Sequence, residues 1–233
     1  AYLAVVDRVI PKHFDGVAIG VNVFGGTSST VFPLERIRNQ ADVDRLRALL
    51  TSLKTTPRNT LNGGDGTNTA DAINVAQRDI DESPFADAIN RTIYVSAFGQ
   101  PLSTPDARDA TRRAEQAGTD VVCVSGRDPS SFDFIDGTEG SKSHVPTFQD
   151  LERELEELVV EDLPTAPEDV NVLVFAIDSS DSISDADFAL QIDAYLAVLG
   201  RVVPDHFGDV AIGVNVFGGA AKTVYPLQLI RDQ

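Results

Sequence analysis

One cysteine, no methionine and no tryptophan occur in 233 residues, and basic side chains are scarce, with 19 Lys plus Arg against 36 Asp plus Glu and a formal charge of −17. Each shortage excludes something. A single thiol cannot form a disulfide within the chain, and Val121-Val122-Cys123-Val124 reads as a strand with a packed thiol. The acidic surplus repels a phosphate backbone or an anionic bilayer surface, so nucleic acid is a poor partner and cations are a good one. The longest apolar stretches, Val172–Ile177 and Val17–Phe24, are strand-length. They fall far short of the ~20 residues that span a bilayer. Gly-x-Ser-x-Gly, His-Glu-x-x-His and Gly-x-x-x-x-Gly-Lys-Ser/Thr are also missing, so serine hydrolase, zincin and P-loop chemistry lack their residues.

What is present suffices for a globular core, since 42% of the residues are hydrophobic. The most informative feature is a repeat. Residues 1–40 align without a gap on residues 194–233, with 27 identities in 40 and an offset of 193. That period exceeds the ~20 to 50 residues of a solenoid unit and matches a whole domain. Ala1–Val9 reads as the middle of a helix, so the chain is expected to be a slice of a longer tandem array. Residues 1–164 are then a module lacking its first strand and the start of its first helix, 165–170 a short Pro-containing acidic linker, and 171–233 the start of a second module.

Within one period, Asn171–Ile177 is a continuous apolar run, the mark of a strand covered on both faces. Ser184 with Asp187 predicts a helix start, Phe188, Ile192, Tyr195, Leu196, Leu199 and Val203 keep helical spacing, and Pro204 ends it. Val17–Phe24 and its copy Val210–Phe217 predict a second buried strand. Thr30–Leu34 predicts a short one that Pro33 assigns to a sheet edge. Further helices are expected around Val43–Leu53, around Ile73–Ile80, from a Thr104 cap to Gly118, and after Thr147 with Asp150. Strands are expected at Thr92–Ala97 and Asp120–Ser125. Strands alternating with helices predict an α/β fold, a Rossmann-like doubly wound, mostly parallel sheet with helices on both faces and ligands beyond the strands' carboxyl ends.

The loop leaving the first strand reads Asp178-Ser179-Ser180-Asp181-Ser182. A carboxylate followed by hydroxyls at alternate positions sets Asp178, Ser180 and Ser182 on one side of an extended loop as hard oxygen donors, which suits Mg2+. The same residue types also make an N-terminal helix cap without any metal.

Asp-x-Ser-x-Ser after a buried first strand, followed by Gly66-Thr67-Asn68-Thr69 at the opening of a later helix, resembles the metal-ion-dependent adhesion site of von Willebrand factor type A domains. The resemblance covers the whole period. It implies that Asp178, Ser180, Ser182 and Thr67 are metal ligands around one Mg2+, with Mn2+ or Ca2+ as alternative ions, whose open position accepts a carboxylate from a protein ligand. It also implies a non-enzymatic, extracellular adhesion or matrix module that neighbours further repeats. Two departures stand out. Where the family carries an Asp at the end of the fourth strand, this chain has Phe98. Asp178 and Thr67 belong to different modules, so within this chain they meet only if residues 171 onward fold back and complete the first module. A metal-free structural spacer is the competing expectation, and a Mg2+-dependent phosphohydrolase using Asp178 as nucleophile is a more distant one, since Ser180 stands where such enzymes carry a second Asp.

The remaining candidates have simpler readings. His13 and its copy His206 sit at a helix end, His144 stands alone, and Gly137–Lys142 only superficially suggests a phosphate loop. The acidic stretch 152–162 reads as a solvated helix face, and Asn90-Arg91-Thr92 is a glycosylation sequon that matters only in a secreted protein.

Overall fold

Seven strands gather into one sheet because the apolar runs are too short and too continuous to cover themselves in any other way. The computed structural model describes residues 17–56, 66–88, 90–97, 99–126, 129–147, 150–151, 153–155, 158, 171–178, 184–202 and 210–215. The strands are β1 (Val17–Phe24), β2 (Ser28–Arg36), β3 (Asn90–Ala97), β4 (Asp120–Gly126), β5 (Ser141–Val145), β6 (Asn171–Asp178) and β7 (Val210–Asn215). The helices are α1 (Gln40–Thr55), α2 (Thr69–Asp81), α3 (Thr104–Gln116) and α4 (Asp185–Val202).

β6, β3, β4 and β5 are consecutive parallel neighbours. On its other edge β6 faces both β1 and β7, each parallel to it, and β2 runs antiparallel to both. Counting the shared place once, the order is β2, then β1 or β7, then β6, β3, β4, β5. Numbered from β6, this is the 3-2-1-4-5-6 order of doubly wound sheets, whose ligand crevice opens where the order reverses, between β6 and β3. β2 is then the outer strand, as Pro33 predicts, and its pairing with β7 skips register between Phe32 and Glu35, around the residue that cannot donate to a ladder.

Helices cover both faces. Ser96 points toward α4, donating to Gln191 Oε1 at 2.5 Å and accepting from Tyr195 Oη at 2.5 Å. Ile93, Val95 and Ala97, one residue out of phase and fully buried, therefore face the opposite side, where α2 packs against β3. α1 lies against α4, joined by the Lys54–Asp193 ion pair, and α2 lies against α3. The α2–α3 contact is close because α3 presents Ala107, Ala110 and Ala114, which are small and buried. The fold is thus mixed α/β of the Rossmann-like class. No helix among the described residues is long and apolar enough to cross a membrane.

Local chemistry explains the helix ends. Asn39 caps α1 by accepting from Ala41 and Asp42 N–H groups, and Ser184 accepts from Asp187 N at 3.1 Å. Thr147 and Asp150 form the expected capping pair, and Leu151 and Leu155 behind them are fully buried. α3 is capped by Ser103, one residue before the expected Thr104, because Pro105 then falls in the first turn where its missing N–H costs nothing. Gly118 follows that helix at φ 79°, with the Arg91 guanidinium closing over its carbonyl at 3.1 Å.

Two elements have weak sequence signals. β5 reads Ser-Lys-Ser-His-Val with only Val145 buried, and Pro129–Ile135 forms a 3-10 turn in which Phe132 and Phe134 meet edge to face at 5.5 Å beneath β4 and β5. Cys123 lies fully buried in β4, and burial pushes its thiol pKa well up, so the packed-thiol expectation holds.

Candidate functional site

β6 ends at Asp178, in register with Phe24 at the end of β1. One residue beyond Phe24, the Gly25 carbonyl accepts from Asn68 N at 2.7 Å, and Gly26 O accepts from Asn68 Nδ2 at 3.0 Å. On the other side, the Thr67 carbonyl accepts from Leu102 N at 2.9 Å, and Thr67 bridges to Pro101 in the loop after β3. The 66–68 loop is therefore strung between the ends of the two strands that flank β6, across the crest where Asp178 closes that strand. This is also the reversal point of the strand order, where a loop can open toward a ligand instead of covering a helix.

Sequence dictates the loop's path. Gly66 sits at φ 112°, a backbone conformation that residues with a side chain rarely adopt, and a Cβ there would also push the Leu102 side chain aside, so the position favours glycine. Asn68 then caps α2, accepting from Asp71 N at 3.2 Å. Thr67 is buried, and Leu102, 57% exposed, is the one large hydrophobic side chain exposed among the described residues. Thr69, two residues beyond Thr67, has a buried hydroxyl with no hydrogen-bond partner among the described residues. Of the predicted ligands, Thr67 and the main chain of Asp178 share this crest. Ser180, Ser182 and Phe98 lie outside the described residues, as do His13 and His206. Among the described residues no three His, Cys, Asp or Glu side chains gather into a cluster.

The donor set suits a hard dication by its chemistry, one carboxylate and three hydroxyls, and the orphaned Thr69 Oγ1 adds an oxygen that a coordinated water can satisfy. Beside it, Asn68, Asp71, Asn74, Asp106 and Arg113 line a cleft of about 330 Å3 between α2 and α3. Burial raises the Asp71 pKa, which Arg78 and a hydrogen bond from the Ser28 backbone partly offset. Sequence reasoning missed Asn68 and Asp71. Their signal was an Asn followed three residues later by an acid before an apolar run, the ordinary signature of a helix start.

His144 lies elsewhere, on β5. Its Nδ1 is 3.0 Å from Ser125 Oγ, which also donates to Ser143 O at 3.2 Å, so the pair ties β5 to β4. In the sequon, Asn90 begins β3 opposite Asn171 and Thr92 is buried, so both stand in the sheet. Comparison with family models, curated proteins and solved structures finds no match to this chain.

Proposed function

We propose that the chain is a non-enzymatic, von Willebrand factor type A-like adhesion module of an extracellular tandem array, engaging a carboxylate of a protein ligand through Mg2+ at the sheet crest. What carries the reading is the course of the 66–68 loop, tied to both neighbours of β6 over the strand end that Asp178 forms. The strand order, with one antiparallel outer strand, supports it further. In this reading Asp178 supplies the fixed negative charge, and Ser180, Ser182 and Thr67 supply neutral oxygens that leave the ion electrophilic toward an incoming carboxylate. Bound, the ion serves as the docking point for that group. Leu102 on the rim offers an apolar contact to the same ligand.

Phe98 favours a second reading, a metal-free spacer, because an outer-shell carboxylate that holds a metal-bound water is worth ~10- to 100-fold in affinity. Calorimetric titration of the whole chain with Mn2+ decides between them. The adhesion reading expects one bound ion per chain, lost in Asp178→Ala while the circular dichroism spectrum is retained. Absence of binding in the unaltered chain, or binding indifferent to Asp178→Ala, establishes the spacer instead.

A further inference from the structure

The segment that leads into β5 is anchored at one end and open at the other. Ser131, Phe132, Phe134 and Ile135 are buried, and the two rings pack against each other. The chain then surfaces at Asp136 and Gly137, both exposed, before Gly140 N donates to Glu115 Oε1 at 2.6 Å and β5 begins. Thr138 N donates to Ile135 O at 2.9 Å and closes a turn with Gly137 inside it, at φ 87°. Apart from its chain neighbours, no heavy atom lies within 4 Å of where a Gly137 Cβ would stand. The Gly137 N–H has no hydrogen-bond partner among the described residues.

An aspartate followed by glycine places an electrophile beside a nucleophile. Gly137 N reaches Asp136 Cγ by rotation about the Asp136 ψ and side-chain torsions alone, because the ring that forms is five-membered. A folded chain forbids this in three ways: by spending the N–H on a hydrogen bond, by filling the space with a neighbouring side chain, or by fixing the carboxylate. The first two are missing at Gly137. The third is weak. Asp136 Oδ1 accepts from Lys142 Nζ at 2.8 Å, but the same ammonium donates to Asp133 Oδ1 at 2.9 Å, so Lys142 keeps an acid partner when Asp136 turns away. The Asp136 side chain is 66% exposed, where an ion pair holds loosely. Asp-Gly also occurs at 15–16 and 65–66, but only here does the structure describe both residues.

We propose that Asp136-Gly137 is a self-modification site, where the folded chain converts Asp136 to isoaspartate through a succinimide. Gly137 N gives up its proton and bonds to Asp136 Cγ, the Cγ–OH bond breaks, and one water leaves. Water then adds at the Asp136 main-chain carbonyl carbon and breaks its bond to Gly137 N. The chain now runs through Cβ and Cγ, and the carboxylate sits on Cα. Addition at Cγ instead restores aspartate. One water is released and one taken up, so the step needs no oxidant, reductant or enzyme. The product carries an extra methylene in the main chain, inside the turn that Thr138 N closes on Ile135 O, and its carboxylate is displaced from Lys142. β5, in which only Val145 is buried, is the strand that this loosens. This inference does not depend on any metal at the crest.

The test is a peptide map of the whole chain after several weeks in mildly acidic buffer. Trypsin releases residues 128–142, which also contain Asp133. A second form of this peptide, equal in mass and with isoaspartate at position 136, should accumulate at a rate within an order of magnitude of that in the free synthetic peptide. Asp133 is the internal control, because the bulky Phe134 follows it. Asp136→Glu keeps an acid beside Lys142 and would need a six-membered ring, so the second form should vanish. The proposal falls if the free peptide converts while the folded chain does not, because the turn then protects the site. It falls equally if Asp133 converts as fast as Asp136, the mark of an unfolded pool, or if the second form persists in Asp136→Glu.

Discussion

β3, β4 and β5 come from sequence that occurs once in the chain, whereas β1 and β7, which share one register against β6, carry the same sequence twice. Both regions obey the same local rules. Their inner strands are apolar, their helices are capped, and helices cover both faces of the sheet. They differ in uniqueness. Ile93-Tyr94-Val95 and Val121-Val122-Cys123 occur once in the chain, while the strand beside β6 occurs twice. A pattern that directs a strand to a place is the same in both copies, so the register against β6 is the same for each.

The largest effects should come from matched truncations in the two regions. Ile93 and Ile19 are both fully buried in central strands. Ile93→Ala, in the unrepeated half, is expected to cost about 2–5 kcal/mol in guanidinium denaturation, the range for deleting a buried aliphatic side chain. Ile19→Ala, in the strand that registers against β6, is expected to fall in the same range, and a loss below about 1 kcal/mol there would show that the copy at Ile212 stands in for it.

This contrast also marks what was legible beforehand. The 193-residue offset, the alternation of strands and helices and the cap pairs at Ser184 and Thr147 are one-dimensional signals, and they forecast the α/β sheet with its covered strands. β5 escaped because an edge strand facing solvent has little apolar pattern to display, and the 3-10 turn at Pro129–Ile135 because its two phenylalanines follow neither strand nor helix spacing. At the crest, Asp178 and Thr67 could be nominated from their residue types. The bonds from Asn68 to Gly25 and Gly26 could not, because they end on main-chain carbonyls more than 40 residues away, which carry no signal in the residue types.

A second test concerns the seam between the repeated and unrepeated halves. Thr30 on β2 donates to Asp79 Oδ2 on α2 at 2.5 Å, and burial raises the Asp79 pKa from its ordinary 3.8 to about 6, an effect that this bond and Arg78 only partly offset. A carboxyl with a folded pKa above its unfolded one binds more protons when folded. Its contribution to stability is therefore full below pH ~4 and is lost as the pH rises through about 6. At ~1.4 kcal/mol per unit the fall amounts to roughly 2–3 kcal/mol. Asp79→Asn keeps an acceptor for Thr30 and should abolish this fall, leaving the variant more stable than the unaltered chain at pH 7. Urea midpoints at pH 4, 5, 6 and 7 measure it, and parallel pH profiles for the two proteins would show that Asp79 is not the titrating group.

The smallest effect lies wholly in the unrepeated half, at the start of α3. Ser103 accepts from Asp106 N at 3.3 Å, and Thr104, the first helical residue, is the cap that the Thr-Pro pattern suggests. The two assignments differ in which hydroxyl stands in for a missing turn of helix. If Ser103 is the cap, Ser103→Ala leaves an N–H of the first turn unpaired and costs about 1 kcal/mol, while Thr104→Ala is close to neutral or slightly stabilising, since Ala is the better helix former. If Thr104 is the cap, the order reverses. No second copy of α3 exists in the chain to take over, so the cost should appear in full as a shift of the denaturant midpoint with an unchanged slope.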